Sequence, residues 1–424
     1  MPRRLTFIHA ADLHIGAPFR GLRALSPEWA DRLCEAIPEA YDRLIDAAVA
    51  RAVDFVVIAG DVFDEARASY ADYLRFFKGI ERLGEAGIKA YLCTGNHDPY
   101  AQWQQDFFAL PANATMFAAD KPSFALFERA GEPLCVLGGR GYPNKVWPAD
   151  RDIAEGLTRA SAEVALGPRA VEAPFGVGVL HTGLNLDPAK APTSPVRLRA
   201  AGFDYWALGH IHQRFVDNPE DPRLVFSGCI QGRDVKETGP RGVSLVTLEE
   251  GAPNRVEFIP TASVAWQRYA VDVGECASLP AVADAVMRAQ FAASNTAQCE
   301  EMISRITLEG ATPLHDVLAR PGVMEDLRAT LNEARPDFFV DALVDKTTRP
   351  LDRDALRAEG MFPAAVLSAA QTLRATHDEQ VGFLQEEFLR RGVPMPRGVT
   401  ADLDALIGEA ENLVLDLLVQ EGDR

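Results

Sequence analysis

The first ~260 residues of the chain alternate short apolar runs with longer amphipathic stretches, and this alternation is the strongest constraint on the fold. The runs are rich in Val, Ile, Leu and Phe and are too short for helices, which favours buried β-strands. Two intervening stretches, 28–51 and 69–85, carry apolar residues at three- and four-residue spacing, which is typical of helices. The pattern predicts a layered α/β architecture. The predicted strands are 5–10, 55–59, 90–94, 134–137, 177–180, 205–208, 224–226 and 243–248.

The rest of the chain has a different pattern, which predicts two further regions. A stretch rich in Pro and Gly, 251–260, is expected to separate the first unit from the remainder of the chain. The next ~85 residues read β-α-β-α-β, with helices predicted at 281–293 and 314–334, and the last part is helical, at 364–391 and 401–421. We therefore predict a first domain over 1–262, a small α+β capping domain over 263–347 and a C-terminal helical region over 348–424.

Composition limits the class of protein. The 424 residues include 47% hydrophobic and 25% charged residues, as in globular proteins. No apolar segment approaches the ~20 residues that span a bilayer, so no membrane contact is expected. Six scattered cysteines without a CxxC pair predict reduced thiols and a cytoplasmic location. The net charge of −18 argues against binding nucleic acid through bulk charge, so such a role would need a local site, bound metals or a partner.

Five short polar motifs stand at the ends of predicted strands in the first unit. Because the loops beyond the carboxyl ends of strands form the ligand crevice of α/β folds, the motifs are expected to converge. The glycine that opens three of them is expected to allow a sharp turn at the strand end. Five of the eight histidines fall in these motifs, which makes chance placement a poor explanation. The motifs are Asp12-Leu13-His14, Gly60-Asp61, Gly95-Asn96-His97-Asp98, His181 and Gly209-His210-Ile211-His212.

The residue types and their spacing predict a metal site. Residues i and i+2 of an extended chain point to the same side, so Asp12 and His14 can reach one point, as can His210 and His212. Carboxylate, amide and imidazole donors without a thiolate suit manganese, iron or zinc better than calcium. A carboxylate has two oxygens, so Asp61 can bridge two ions ~3.5–4 Å apart, a common arrangement for cleaving phosphoesters.

These residues resemble the signature of the calcineurin-like metallophosphoesterases, which is D-x-H, G-D, G-N-H-[DE], a lone His and G-H-x-H. Within that superfamily the chain is similar to the bacterial SbcD nucleases and, more closely, to the YhaO-type DNA-repair exonucleases. The SbcD relatives carry an aromatic residue at the position of Leu13, so Leu13 departs from them and matches the YhaO branch. The resemblance implies a two-sheet β-sandwich flanked by helices. It rests on AADLHIGAPFRGL, GDVFD, TGNHDP, DYWALGHIH and SGCIQGRDVKETGP, and extends weakly through ITLEGATPLHDVL and TTRPLD.

The resemblance also implies roles for the motif residues. His97 would not bind metal but would face the scissile phosphate as a catalytic residue, and Asp98 would hold its imidazole in position. A metal-bound hydroxide would attack phosphorus in line. Two divalent ions are expected, most readily manganese, with iron or zinc as alternatives. One ion would be held by Asp12, His14, Asp61 and His212, and the other by Asp61, Asn96, His181 and His210.

Other candidates are less specific. Arg233 and Lys236, in a Gly-bounded loop after a late strand, are predicted to contact DNA phosphates. Asp64 is interpreted as a cap or loop acid rather than a ligand. In the resembling nucleases the C-terminal helices bind the coiled-coil base of an SMC-like ATPase, and relatives dimerise through core helices. The resemblance therefore implies DNA and such an ATPase as partners, and leaves a homodimer open.

The sequence supports three hypotheses for the function. The favoured one is a manganese-dependent DNA phosphodiesterase, a repair exonuclease that could also have endonuclease activity and that works with an ATPase. The second is a phosphomonoesterase or cyclic-nucleotide phosphodiesterase with the same metals, against which the cap and tail weigh. The third is a non-catalytic scaffold in DNA repair, against which the intact Gly95-Asn96-His97-Asp98 motif weighs, because a scaffold has no need of His97.

Overall fold

The structure of the protein, a computed structural model, describes residues 2–64, 68–103, 109–187, 190–396 and 398–422. The chain divides into two compact units. Unit 1 consists of Met1–Arg268, Ala292–Ser304 and Asp337–Asp341, and unit 2 consists of Tyr269–Phe291, Arg305–Pro336 and Ala342–Arg424. Among the described helices, we find no segment whose length and hydropathy would let it span a bilayer.

Two six-stranded sheets form the body of unit 1. The strands of the first sheet are β1 Arg4–Ala10, β2 Phe55–Ala59, β3 Lys89–Cys93, β4 Ala114–Met116, β11 Gly242–Glu249 and β12 Arg255–Pro260. Their order is β12-β11-β1-β2-β3-β4. Strands β1 to β4 are parallel, and β11 pairs antiparallel with β1 and with the edge strand β12.

The second sheet has the order β5-β6-β7-β8-β10-β9, with four parallel strands in the middle and an antiparallel strand at each edge. Its strands are β5 Ser123–Arg129, β6 Glu132–Arg140, β7 Phe175–His181, β8 Tyr205–Gly209, β9 Phe215–Val216 and β10 Leu224–Phe226. The inner strands are buried on both faces, which explains why they are continuous apolar runs in the sequence.

The core of unit 1 is layered. Phe7 and Phe55 of the first sheet pack in one buried cluster with Val177 and Tyr205 of the second, so the two sheets form a sandwich. Helices α2 Pro27–Ala50 and α3 Tyr70–Glu85 cover the outer face of the first sheet. Each helix begins at a serine that accepts a backbone hydrogen bond. Shorter helices complete the unit: α1 Arg20–Leu25, a 3-10 turn Tyr100–Gln102, α4 Arg159–Leu166, α5 Pro168–Glu172 and α6 Pro195–Ala200.

The remaining elements form a third sheet and the C-terminal helices. The sheet has the order β13-β14-β15, with strands Val264–Asp272, Glu301–Glu309 and Phe338–Asp345. In unit 2, Glu411 is buried and forms ion pairs with Arg353 and Arg374, which ties the C-terminal helices together. The helices are α7 Leu279–Ala297, α8 His315–Leu318, α9 Val323–Ala334, α10 Arg353–Glu359, α11 Met361–Ala375, α12 His377–Arg390 and α13 Leu403–Gly422.

The predicted fold class and all eight predicted strands of the first unit are confirmed. Three predictions were wrong in detail. The stretch 251–260 is not a separator, because most of it is the edge strand β12, where a proline is tolerated. The helix predicted at 314–334 is interrupted over 319–322, which includes Pro321 and Gly322, whose φ is +87°. The helix predicted at 364–391 is two helices that meet at Thr376. The three domain limits stay predictions.

Candidate metal centre

The carboxyl ends of β1, β2 and β3 in the first sheet and of β7 and β8 in the second lie close together, and each strand is followed by or ends in one motif. Backbone hydrogen bonds join the loops, since Asp12 N donates to Gly60 O over 3.1 Å and His14 N donates to Asp61 O over 3.0 Å. In the second sheet, Thr182 N donates to Gly209 O over 3.1 Å. The five motifs therefore converge, as the sequence predicts.

The backbone of four motif residues is strained. Asp12, His14, Asp61 and His210 have φ angles of 53°, 48°, 52° and 101°, in the region that non-glycine residues rarely adopt. Each such residue costs ~1–3 kcal/mol and persists only where its surroundings hold it in place. Strain of this kind clusters at functional sites, and here it coincides with the converging polar side chains.

The motif glycines allow neighbouring atoms to approach the backbone closely, more than they allow the chain to turn sharply. Only Gly60 of the three has a left-handed φ, +87°. A Cβ added to Gly95 would lie 2.2 Å from Asp61 Oδ1, and one added to Gly209 would lie 1.9 Å from the carbonyl oxygen of Ala59. The expected turn is thus wrong for Gly95 and Gly209, where glycine is needed because neighbouring atoms occupy the space of a side chain.

One group of donor atoms gathers around His14 and His212. Their Nε2 atoms lie 3.1 Å apart. His14 Nε2 is 3.9 Å from Asp61 Oδ2, and His212 Nε2 is 3.8 Å from Asp12 Oδ1. Donor atoms of Asp12, His14 and His212 all lie within 4.8 Å of one another, close enough to hold one ion. This is the first group of residues that the sequence assigns to a metal.

The second group gathers around Asn96. Its Oδ1 lies 3.0 Å from His181 Nε2 and 3.1 Å from His210 Nδ1. His181 Nε2 is also 3.3 Å from Asp61 Oδ2, so the same carboxylate oxygen of Asp61 takes part in both groups. Asp61 is 1% exposed, and its Oδ2 accepts no hydrogen bond from the residues that the structure describes. A buried carboxylate oxygen without a partner, between two groups of nitrogen and oxygen donors, fits a pair of bridged divalent cations.

Carboxylates outside these two groups orient the histidines. Glu237 Oε1 accepts a hydrogen bond from His212 Nδ1, and although burial opposes ionisation, this bond helps to lower the pKa of Glu237 to about 2. Asp187 Oδ2 lies 3.1 Å from His210 Nε2, which leaves Nδ1 of that ring facing Asn96. His181 Nδ1 lies 3.0 Å from the carbonyl oxygen of Ala59. Such partners fix the tautomer and direct the other ring nitrogen at the metal.

His97 stands beside these donors, and the acid next to it is Asp64. Its Nδ1 lies 3.5 Å from Asp64 Oδ1, which is also 3.2 Å from His14 Nδ1. The carboxylate of Asp64 beside the ring raises the pKa of His97 above its ordinary value. Burial alone would raise the pKa of Asp64, but its contacts with His14 and His97 hold that pKa well below its usual range.

Asp98 has a different position from the expected one. Its carboxylate accepts hydrogen bonds from the backbone N–H groups of Asp61, Val62 and Gly95, at 3.1, 2.9 and 2.7 Å. It therefore holds the loops after β2 and β3 together instead of orienting the imidazole of His97. The interpretation of Asp64 as a mere loop acid missed its contact with His97. Asp64 lies only three residues after Asp61 on the same loop, and this spacing could have indicated that it lies near the metal-binding motifs.

The two basic residues predicted to contact DNA lie in different surroundings. Arg233 forms ion pairs with Asp64 and Glu237, at 3.3 and 3.4 Å, and its Nη2 lies 3.3 Å from His212 Nδ1. It is thus held within the carboxylates behind the first donor group. Lys236 is exposed, and its ammonium forms no ion pair with a residue in the described part of the chain.

Comparisons with known proteins agree with this geometry. Residues 5–214 match the family of calcineurin-like phosphoesterases, and residues 266–348 match the middle domain of the metallophosphoesterase YhaO. The chain is 34% identical to YhaO, an uncharacterized metallophosphoesterase of Bacillus subtilis, over 79% of this chain and 80% of that protein. It is 24% identical to the DNA double-strand break repair protein Mre11 of Aeropyrum pernix, over 64% of each chain. It is also 24% identical to Mre11 of Methanopyrus kandleri, over 98% of this chain and 87% of that one. The predicted resemblance is confirmed.

Proposed function

The chain belongs to the calcineurin-like phosphoesterase family, alongside YhaO, and from that premise we propose that it is a two-metal-dependent DNA phosphodiesterase. The observation that carries the proposal is the buried Asp61 Oδ2, which takes part in two adjacent groups of donor atoms. In this proposal one ion is held by Asp12, His14, Asp61 and His212, and the other by Asp61, Asn96, His181 and His210. Manganese is the proposed metal, with iron or zinc as alternatives, because carboxylate, amide and imidazole donors without a thiolate suit these ions.

The protein side chains have separate tasks in the reaction. When bound, two divalent ions supply Lewis-acid stabilisation of the phosphoryl oxygens and a nucleophile at neutral pH. His97 is partly exposed at the edge of the donor groups, where it can donate a proton or a hydrogen bond to an oxygen of the scissile phosphate. The carboxylate of Asp64 raises the pKa of the His97 ring, which favours the protonated form that this task requires.

DNA as the substrate is supported by the similarity to Mre11, a DNA double-strand break repair protein. The net charge of −18 argues that the protein does not hold DNA alone. We therefore include an SMC-like ATPase partner that docks on the C-terminal helices. These helices expose large apolar side chains, among them Phe362, Phe383 and Leu389 at 73%, 58% and 83%. The same proposal includes exonuclease action and a capping domain over 263–347. It also includes a cytoplasmic location, where the six unpaired cysteines would stay reduced, and it leaves a homodimer open.

The test compares five substrates with manganese-loaded protein: a chromogenic phosphodiester, a chromogenic monoester, a cyclic nucleotide, and labelled single- and double-stranded DNA. We expect turnover of a chromogenic phosphodiester and of labelled single- and double-stranded DNA, and little turnover of a chromogenic monoester. His97→Ala is expected to keep both metals while kcat falls by about 10²–10⁴-fold. Turnover of the monoester or of cyclic nucleotides without cleavage of DNA, with or without an ATPase partner, would replace the proposal with a small-substrate phosphoesterase. Bound metals with no turnover of any substrate would indicate a scaffold.

A further inference from the structure

A pocket of about 350 Å³ opens beside the metal centre in unit 1. It is lined by side chains from four separate parts of the chain, which follow β1, follow β2, precede β11 and lie on β13. Its apolar walls are Ala17, Pro18, Phe19, Leu22 and Trp266, and its polar groups are Asp64, Arg233 and Asp234. The volume is at the lower end of the range for small-molecule sites, about 300–1,000 Å³.

The polar groups at one side of the pocket also contact the metal centre. Asp64 Oδ1 lies 3.2 Å from His14 Nδ1 and 3.5 Å from His97 Nδ1. Arg233 Nη2 lies 3.3 Å from His212 Nδ1. A single layer of side chains therefore separates the pocket from the proposed metal ligands. A substrate group attached to the reacting phosphate is the natural candidate for this position.

Two donors in the lining are unused. Trp266 is 5% exposed, and its indole N–H has no hydrogen-bond partner among the residues that the structure describes. Arg233 Nε is likewise buried without a partner in that part of the chain. Both nitrogens are covered by neighbouring atoms, so a ligand reaches them only when a lining side chain turns. Leaving a buried donor unpaired costs ~1–3 kcal/mol, which favours such a turn when the ligand offers an acceptor.

The charges of the pocket select against a phosphate. The guanidinium of Arg233 is already paired with the carboxylates of Asp64 and Glu237. Asp234 adds a further carboxylate to the lining, so an anion would meet net negative charge. A neutral flat heterocycle fits better, because its faces are apolar and its edge carries both acceptors for the free donors and donors for the carboxylates.

We propose that this pocket takes the unpaired base of a nucleotide whose phosphate lies at the metal centre. The inference rests on the proposed function and adds to it a preference for nucleotides that can leave the stack. Enzymes that hold a base outside the helix read it by hydrogen bonds at its edge and by apolar or aromatic contacts at its faces, and the lining supplies both. Frayed ends and single strands would then be cleaved faster than intact duplex.

Gly21 provides a direct way to fill the pocket. It lines the cavity. Apart from its chain neighbours and its own helix backbone, no atom of the described residues lies within 4 Å of the position that a Cβ would take. Gly21→Trp should therefore place a large side chain into the open space without a backbone clash. Gly21→Ala is the matched control, since it makes the same change of backbone freedom with almost no volume. Gly21→Leu serves if the larger variant fails to fold, as judged by its melting temperature and manganese content.

The experiment measures binding by calorimetry, with manganese-loaded protein and two pairs of ligands. The 5′- and 3′-monophosphates of deoxyadenosine are compared with the corresponding phosphates of deoxyribose, which lack the base. In the wild type and in Gly21→Ala, the base is expected to tighten binding about tenfold for at least one isomer. In Gly21→Trp the ratio of the two affinities should fall to about one.

Two results would overturn the pocket assignment: equal affinities of both ligands for the wild type, or an unchanged ratio in the filled variant. The assay does not depend on DNA cleavage. A protein that binds nucleotides through the base but leaves DNA intact would retain the pocket and lose the proposed function. A protein that cleaves DNA and ignores the base would do the reverse.

Discussion

The two halves of the proposed metal centre have similar inner donors but differ in the carboxylates behind them. Behind His212 lies Glu237, whose side chain is 11% exposed, and which is paired with Arg233. Behind His210 lies Asp187, whose side chain is 41% exposed on a turn. A buried, charge-paired carboxylate holds an imidazole more firmly than an exposed one. The first half should therefore keep its ion more tightly than the second.

The largest effect is expected from Asp61→Asn, which removes the carboxylate that both halves share. Loss of an outer-shell partner costs about 10–100-fold in metal affinity, so loss of the bridging ligand should exceed a hundredfold at both sites. Manganese content by elemental analysis and the turnover of a chromogenic phosphodiester would report this. Asp150→Asn, on an exposed loop, is the control. Retention of one tightly bound ion would contradict the shared role of Asp61.

The second prediction concerns Asp98, which supports both halves through the loops after β2 and β3. Asp98→Ala leaves three backbone N–H groups without their acceptor. Each unpaired group costs ~1–3 kcal/mol, so the free energy of unfolding should fall by about 3 kcal/mol or more. Urea unfolding of the metal-free protein measures this loss. His97→Ala should change the same quantity by less than about 1 kcal/mol. Equal losses in the two variants would show that Asp98 has no special structural role.

The convergence of the five motifs could be predicted from the sequence because they obey a local rule. Each motif is short, comes directly after a buried strand and contains its own polar residues, so spacing along the chain reflects spacing in the fold. The outer carboxylates obey no such rule. Glu237 meets His212 from a loop 25 residues away, and only the path of the chain between β8 and β11 brings them together. Glu237 lies in SGCIQGRDVKETGP, a stretch on which the resemblance rests, but the sequence does not indicate which side chain it contacts.

Other mismatches have similar causes. Asp98 comes after His97 in the chain, but its carboxylate turns to backbone groups of the neighbouring loop, whose need for an acceptor is invisible in the sequence. The edge strand β12 was hidden by Gly251 and Pro253 just before it and by its own Pro260, which an edge accommodates because one of its sides needs no hydrogen-bond partner. Strands β2, β7 and β8, in contrast, are buried on both faces, so they are continuous apolar runs that the sequence shows directly.

The third prediction tests the comparison of the two halves directly. Glu237→Gln should weaken one of two manganese-binding steps by about 10–100-fold, whereas Asp187→Asn should weaken the other by less than about tenfold, because its carboxylate is already solvated. Calorimetric titration resolves the two steps. The paired-manganese signal in electron paramagnetic resonance reports when both ions are present. Equal effects of the two variants would remove the asymmetry, and a larger effect of Asp187→Asn would reverse it.

The smallest effect is expected from Asp64→Asn, which stands on the Glu237 side and contacts both His14 and His97. The carboxylate raises the pKa of His97, so its loss should lower that pKa. A histidine that donates a proton is active below its pKa, and the rate is lost as the pH rises through it. In the variant, the alkaline limb of kcat/KM should therefore move to lower pH. The asparagine oxygen can still contact His14 Nδ1, so the manganese content should stay unchanged. If the rate instead falls equally at every pH and manganese is lost, Asp64 acts through His14 and belongs to the first half of the metal centre alone.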